Sequence, residues 1–283
     1  MKQVAAIIPN YNYAHFLKKR IDSILQQSYP ISELIILDDC STDNSKDIIE
    51  ELTKKLAKEH ANLKIKTIFN TENSGNVFKQ WEKGINAAES QYIWICEADD
   101  LSEPKFLETA MKGFEDSETV FSFTNSKIID QDNKLPFKDN LRQRILNQIR
   151  EGNLFRSSYI RDGREEIKES LAYYCTIPNV SAVVFKKSEI IIKALKEAKE
   201  YRLSGDWIFY LVLAASGKVA YNRKALNIHR VSTVSVTSTT PFEKRLEEMK
   251  KIHARAGELV SLDATQKEKM RSYEQKLSAK LNK

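Results

Sequence analysis

The chain has 283 residues, with 45 Lys and Arg against 39 Asp and Glu and a formal net charge of +6. At 41% hydrophobic and 30% charged residues it has the balance of a folded globular protein, not of a disordered one. No apolar run reaches the ~18–20 residues that span a bilayer, Val4–Ile8 is too short for a signal peptide, and Cys40, Cys96 and Cys175, at spacings unlike a zinc site, read as free thiols of a reducing cytoplasm.

In chain order, Val4–Ile8 reads as a buried strand closed by Pro9, and Asn10-Tyr11-Asn12 as a turn. Phe16, Leu17, Ile21, Ile24 and Leu25 recur at helical spacing up to Tyr29-Pro30. Leu34–Leu37 is a second strand that runs into Asp38-Asp39. Ser41-Thr42-Asp43-Asn44 supplies cap chemistry for a helix with the stripe Ile48, Ile49, Leu52 and Leu56. Leu63–Ile68 is a third strand, and Asn73-Ser74-Gly75 turns into a helix with Phe78, Trp81, Ile85 and Ala88 on one face. Tyr92–Cys96 is a fourth strand, ending in Glu97-Ala98-Asp99-Asp100. Strand and helix alternate four times in about 100 residues, which predicts βαβ units and a mainly parallel sheet flanked by helices.

The second half is less regular. Val120–Thr124 and Ser181–Phe185 read as strands, Ile190–Ala198 as a helix, and Ser204-Gly205-Asp206 opens another helix carrying Trp207, Phe209 and Tyr210. Val219–Tyr221 is a short strand, and a further apolar stretch leads to His229-Arg230. Residues 130–172 are polar and weakly periodic, so the expectation is an insertion or mobile segment over the site, with short helices around Leu141–Ile149. The expected organisation is one domain over residues 1–240, with halves 1–115 and 116–240, and a basic helical tail over 241–283. The tail holds 11 Lys and Arg against 7 Asp and Glu. Three readings of it stay open: it covers the sheet, contacts anionic lipid, or leads into a further domain. The nearly neutral body has no basic face with interleaved aromatics, which argues against nucleic acid as a partner.

Ligands of such sheets bind outside the carboxyl ends of the strands, where Asp38-Asp39 and Glu97 to Asp100 fall. Carboxylates without clustered His or Cys are oxygen donors for a hard cation, Mg²⁺ or Mn²⁺, held by one or two carboxylates and the phosphates of a substrate. The chain has no G-x-x-x-x-G-K-[ST] loop, no G-x-G-x-x-G after the first strand and no G-x-S-x-G elbow. With only 8 glycines, metal bridging is the better way to hold a diphosphate.

Ile7-Ile8-Pro9-Asn10-Tyr11-Asn12, Ile24 to Pro30, Ile36-Leu37-Asp38-Asp39-Cys40-Ser41-Thr42-Asp43-Asn44-Ser45, Asn73-Ser74-Gly75-Asn76, Tyr92 to Asp100, Leu203 to Trp207 and Ile228-His229-Arg230 together resemble the family 2 glycosyltransferases, inverting enzymes of the GT-A fold. The resemblance covers about residues 3–236. It implies an α/β GT-A fold, Rossmann-like in its nucleotide-binding half, and transfer from a UDP-, GDP- or dTDP-sugar donor to a glycan or lipid-linked glycan. Bacterial surface-polysaccharide synthesis, at the inner face of the cell membrane, is the implied setting. Pro9, Tyr11, Asp39 and Asn73 would bind the nucleotide, Tyr11 by stacking on the base and Asp39 by accepting a hydrogen bond from it. Glu97 would contact the ribose, Asp99 and His229 the metal with Asp100 in support, and Asp206 would be the general base.

Two departures stand out: Glu97 where an Asp is usual, and Gly205 where many members carry a Glu. Without the resemblance, Asp38-Asp39 also suits a turn and cap, Asp206 a helix N-cap and His229 an ordinary polar position. Trp81 and Trp94 suit a core, and Trp207 a core or an acceptor platform. A nucleotidyltransferase and a non-catalytic nucleotide-sugar-binding module are the alternatives.

Overall fold

The strands are β1 (Val4–Asn10), β2 (Glu33–Asp38), β3 (Lys64–Phe69), β4 (Tyr92–Ile95), β5 (Leu101–Ser102), β6 (Thr119–Ile129), β7 (Tyr159–Asp162), β8 (Val183–Lys186) and β9 (Lys218–Arg230). The computed structural model describes residues 1–134, 154–231 and 240–279. Among these, nine strands form one mixed sheet in the order β3-β2-β1-β4-β8-β6-β9-β5, with β7 beside β9. Pairing is parallel through β3-β2-β1-β4 and between β6 and β9, and antiparallel elsewhere.

Side chains of the first strands divide by parity. Ala5, Ile7, Ile35, Leu37, Ile93 and Ile95 enter one core, and Val4, Ala6, Ile8, Leu34, Ile36 and Trp94 the other. A strand sends successive residues to opposite faces, so an unbroken apolar run is what a sheet covered on both sides requires. One face is covered by α1 (Ala14–Leu25), α2 (Ser45–Glu59) and α4 (Phe106–Lys112), and the other by α3 (Val77–Ala87), α6 (Glu189–Ala198) and α7 (Gly205–Ala214). The outer strand β3 is half-exposed and carries Lys64 and Lys66, both paired with Glu89, which guards that edge against further pairing.

Three expectations change. Pro9 does not close the first strand, which runs on to Asn10. Ile7 faces β4 through its carbonyl, which accepts the Cys96 N–H at 2.7 Å, so Pro9 faces the same way, beyond the last β1–β4 pair at Ile7 and Ile95. A missing N–H there removes no ladder bond. Val219–Tyr221 and the stretch before His229 are one strand. Between them the pairing jumps from Thr124–Asn222 to Asn125–Ala225, a bulge of polar residues that interrupts the apolar pattern.

Residues 130–172 are not simply an insertion. β7 pairs with β9, Tyr159 opposite Tyr221. Beyond it α5 (Gly163–Glu166) runs into a single wider turn over Ile167–Leu171, and Phe155, Ile167 and Leu171 are buried. Exposed charges at Asp162, Arg164 and Glu165 mask this in the sequence. The helices expected around Leu141–Ile149 lie outside the described residues.

The tail forms α8 (Phe242–Leu259) and α9 (Ala264–Ser278), whose Ile252, Ala256 and Met270 join the same core as α3 and α7. Of the three readings of the tail, covering the body is the one these helices display. No described helix is long and apolar enough to cross a membrane.

Candidate active site

Asp38 and Asp39 end β2 with different tasks. Asp38 is buried and accepts from Asn10 Nδ2 at 2.8 Å, Ser41 Oγ at 2.6 Å and the Ser41 N–H at 2.9 Å, tying β1 to the turn after β2. Asp39 is the hub of a second loop. Its carboxylate accepts from Asn70 Nδ2, from the Ser74 N–H at 2.9 Å and Oγ at 2.7 Å, and from Gln80 Nε2 at 2.8 Å. Asn73 donates to the Asp39 carbonyl at 3.1 Å and caps the Gly75 N–H at 2.7 Å, where Gly75 takes φ +64°. An open pocket of about 370 Å³, lined by Asn70, Ser74, Lys79, Gln80 and Lys83 among others, adjoins this loop. Tyr11, the first residue beyond β1, is 44% exposed and precedes Asn12 at φ +59°.

The loop after β4 carries the acidic cluster. Asp100 is buried, its carboxylate accepting the Arg230 N–H at 2.9 Å on one oxygen and Asn179 Nδ2 on the other. Arg230 Nε donates to the Asp99 carbonyl at 2.8 Å, and Asn227 Nδ2 to Asn179 Oδ1 at 2.8 Å. His229, half-buried between Asn227 and Arg230 on β9, is thereby brought beside the Asp99-Asp100 loop. Glu97 Oε1 accepts from Trp81 Nε1 at 3.1 Å, and the Glu97 N–H donates to Ser181 Oγ at 3.0 Å.

Burial, followed by repulsion from Asp99 and Asp100, pushes Glu97 up to about 8; burial and then Asp100 push Asp99 up to about 7. Tyr13 is pushed up to about 12, first by burial and then by Asp99, Glu97 and Asp100, which places its phenol against the same loop. Arg20 of α1, fully buried, opposes these shifts; its Nη1 donates to Ser102 Oγ at 3.0 Å and its guanidinium lies 5.2 Å from the Trp94 ring. Carboxylates that gain protons through burial and mutual repulsion suit a divalent cation, which would relieve both. Among the described residues no three His, Cys, Asp or Glu side chains form a ready cage.

Asp206 lies half-buried in the first turn of α7, with Ser204, not Asp206, at the N-cap; its Oδ1 accepts the Trp207 N–H at 2.8 Å. The approach to the acidic loop runs through rings. A Cβ at Gly205 would lie 2.3 Å from Phe78, Phe78 packs edge-on against Trp81 at 4.8 Å, and Trp81 holds Glu97. The same Cβ would lie 2.6 Å from the Ala198 carbonyl, backbone that cannot swing aside. This explains the departure at 205: no side chain fits there. Gly205→Ala is expected to destabilise the fold by about 1–3 kcal/mol, and Gly205→Glu by more; a thermal melt of Gly205→Ala matching wild type would contradict this packing. Trp207 is buried, its Nε1 bonded to the Leu171 carbonyl at 2.7 Å, so it belongs to the core.

The fold therefore places Pro9, Tyr11, Asp39, Asn73, Glu97, Asp99, Asp100 and His229 at the carboxyl ends of β1, β2 and β4 and the end of β9, and packs Gly205, the neighbour of Asp206, against Phe78 of α3. Residues to which the sequence reading gave no task at the site are the clamps: Asn70, Ser74 and Gln80 on Asp39, Trp81 and Ser181 on Glu97, and Asn179 and Arg230 on Asp100. Gln80, a lone amide on an apolar helix face, was the one visible signal. The others act across the fold.

A family model, Glycosyl transferase family 2, matches residues 5–169. An uncharacterised glycosyltransferase of Nostoc sp. is 36% identical over 133 residues, 47% of this chain and 39% of that protein. The poly(ribitol-phosphate) beta-N-acetylglucosaminyltransferase TarS of Staphylococcus aureus is 29% identical over 112 residues, 39% of this chain and 18% of TarS. The structure of TarS 1-349 in complex with UDP has a TM-score of 0.64 at 18% identity, over 96% of this chain and 70% of that one. A mannosyltransferase of Pyrobaculum calidifontis in complex with GDP-Man and Mn²⁺ gives 0.65 at 17%, over 97% and 69%. The chain spans 39% and 48% of the length of the first two curated relatives it matches. A match over more than half of the chain, on a mixed α/β sheet of the GT-A kind, places this chain in glycosyl transferase family 2.

Proposed function

We propose that the chain catalyses inverting transfer of a sugar from a nucleoside-diphosphate sugar to an acceptor hydroxyl. The observation that carries this is the crowded, largely buried cluster of Glu97, Asp99 and Asp100 at the carboxyl end of β4. Pro9, Tyr11, Asp39 and Asn73 would hold the nucleoside, with the exposed face of Tyr11 for stacking. Glu97 would meet the ribose, and Asp99, with His229 beside it and Asp100 in support, would hold Mn²⁺ or Mg²⁺. When bound, that cation supplies charge neutralisation on the diphosphate. Asp206 takes the proton of the acceptor hydroxyl as its oxygen bonds to the anomeric carbon, while the bond to the diphosphate oxygen breaks and its electron pair leaves with the nucleotide. Attack from the opposite face inverts the anomeric centre.

The substrate class is proposed on the names of relatives and on chemistry. Structural neighbours hold UDP and GDP-Man, which supports a UDP, GDP or dTDP donor. TarS is named for transfer to poly(ribitol-phosphate), and a Bacillus subtilis relative for teichuronic acid biosynthesis, which supports a glycan or lipid-linked glycan acceptor in bacterial surface-polysaccharide synthesis. Cytoplasmic action at the inner membrane face is the matching location, in keeping with three cysteines that form no disulfide.

Thermal melts against UDP-, GDP- and dTDP-sugars and their diphosphates, with and without Mn²⁺, test the proposal. The expected result is a metal-dependent rise with one base. A flat panel would overturn the donor site, and a shift without turnover of the sugar nucleotide would favour a non-catalytic nucleotide-sugar-binding module.

A further inference from the structure

We propose that Glu248, on α8 of the C-terminal helix pair, is a positioning residue for the reaction, setting the backbone that carries Asp206. This rests on the reading of Asp206 as the base and extends that reading to the tail. Glu248 is 2% exposed, and its carboxylate accepts the N–H groups of Arg202 at 2.8 Å, Leu203 at 3.1 Å and Ser204 at 2.9 Å. Three consecutive amides converging on one buried carboxylate form an anion nest, and this one ends two residues before Asp206. The Ser204 carbonyl accepts the Trp207 and Ile208 N–H groups at 3.1 and 3.3 Å, but Ser204 occupies the N-cap of α7 without a side-chain cap bond, and Arg202 is exposed. A negative charge just ahead of α7 also complements the positive end of that helix.

The placement of Glu248 is built into α8. Ile252 and Ala256, one and two turns further on, are fully buried in the core shared with α7. Arg255 reaches Glu197 of α6 at 2.8 and 3.0 Å. The other side of the start of α7 is closed by Phe78 beneath Gly205. The backbone that leads into Asp206 is thus set between a carboxylate from the tail, at Arg202 to Ser204, and a ring of α3, at Gly205. No signal in the sequence marks Glu248, because a carboxylate that binds backbone amides asks for no particular side chains in its partner loop.

A merely structural Glu248 would cost stability alone. A positioning Glu248 costs turnover in protein that still folds and still binds donor, since misplacement by about 1 Å can cost on the order of 10²-fold. The test uses the full chain as wild type, Glu248→Gln, Glu248→Asp, Asp206→Asn and the Glu248→Gln/Asp206→Asn double variant. Single-turnover hydrolysis of UDP-GlcNAc, GDP-mannose and dTDP-glucose with Mn²⁺ measures the chemical step, and the thermal shift by the matching diphosphate measures donor binding.

Glu248→Gln is expected to lose about 10- to 100-fold in rate at saturating donor, with KM and the diphosphate shift retained; Glu248→Asp recovers part of the loss and stands in should Glu248→Gln fail to fold. Placed on Asp206→Asn, Glu248→Gln adds no further loss, as expected of a residue that acts through Asp206. Wild-type rates in both Glu248 variants, a multiplicative loss in the double variant, or loss of donor binding along with rate each overturn the proposal. A wild-type rate in Asp206→Asn instead overturns the base assignment, separately from any effect at Glu248.

Discussion

Asp206→Asn is expected to lower turnover about 10²- to 10⁴-fold, the usual worth of general-base assistance, while leaving the donor-dependent thermal shift in place. The substitution is close to silent in the fold. Asp206 sits in the first turn of α7, and its Oδ1 accepts the neighbouring Trp207 N–H, a bond that an amide oxygen can keep. What is lost there is a negative charge at the positive end of the helix, worth about 0.3–1 kcal/mol. Loss of rate without loss of folding or donor binding therefore isolates the proton-accepting role. Turnover within a few-fold of wild type in the purified variant would remove Asp206 from the mechanism and revive the ordinary reading of an acidic residue in a first helical turn.

At the donor side, Asp99→Asn is expected to abolish the Mn²⁺ dependence of the diphosphate thermal shift and to lower turnover about 10²-fold or more, since neutralising charge at a leaving diphosphate is worth several kcal/mol. The same change should leave the unliganded protein as stable as wild type, or more stable. Asp99 is largely buried and lies against Asp100, and burial followed by that repulsion holds it up near 7. A neutral amide removes that repulsion, while the Asp99 carbonyl still accepts from Arg230. Opposite signs for stability and function mark a carboxylate kept for its ligand. A retained metal-dependent shift would move the cation to other oxygens; a melt several degrees lower would make Asp99 a structural residue.

Much of this site was legible before any coordinates. β1, β2 and β4 announce themselves because a strand covered on both faces is apolar at every position, and Asp38-Asp39 and Glu97 to Asp100 stand at their ends because chain direction in a parallel sheet puts successive strand ends together. Gly205 was visible as a departure from its family, but its reason was not. Only packing shows that Phe78 and the Ala198 carbonyl exclude a side chain there.

Other features were hidden for physical reasons. β9 reads as two pieces because its bulge over Asn222–Lys224 breaks the period that marks a strand. β7 is disguised by charges on its exposed face, and the residues around Phe155 and Ile167 by the polar segment before them.

By itself, then, the chain determined which segments are strands and helices in its first 100 residues, which carboxylates stand at the strand ends, and to which family it is similar. These depend on local period and turn chemistry, which are written residue by residue. Tertiary structure alone decided how those carboxylates are held. Asn179 and Arg230 reach Asp100 from 79 and 130 residues away, and Glu248 reaches the loop before Asp206 from 44 to 46. Hydrogen bonds to backbone amides and buried carboxylates depend on distance and direction in space, and no local pattern encodes either.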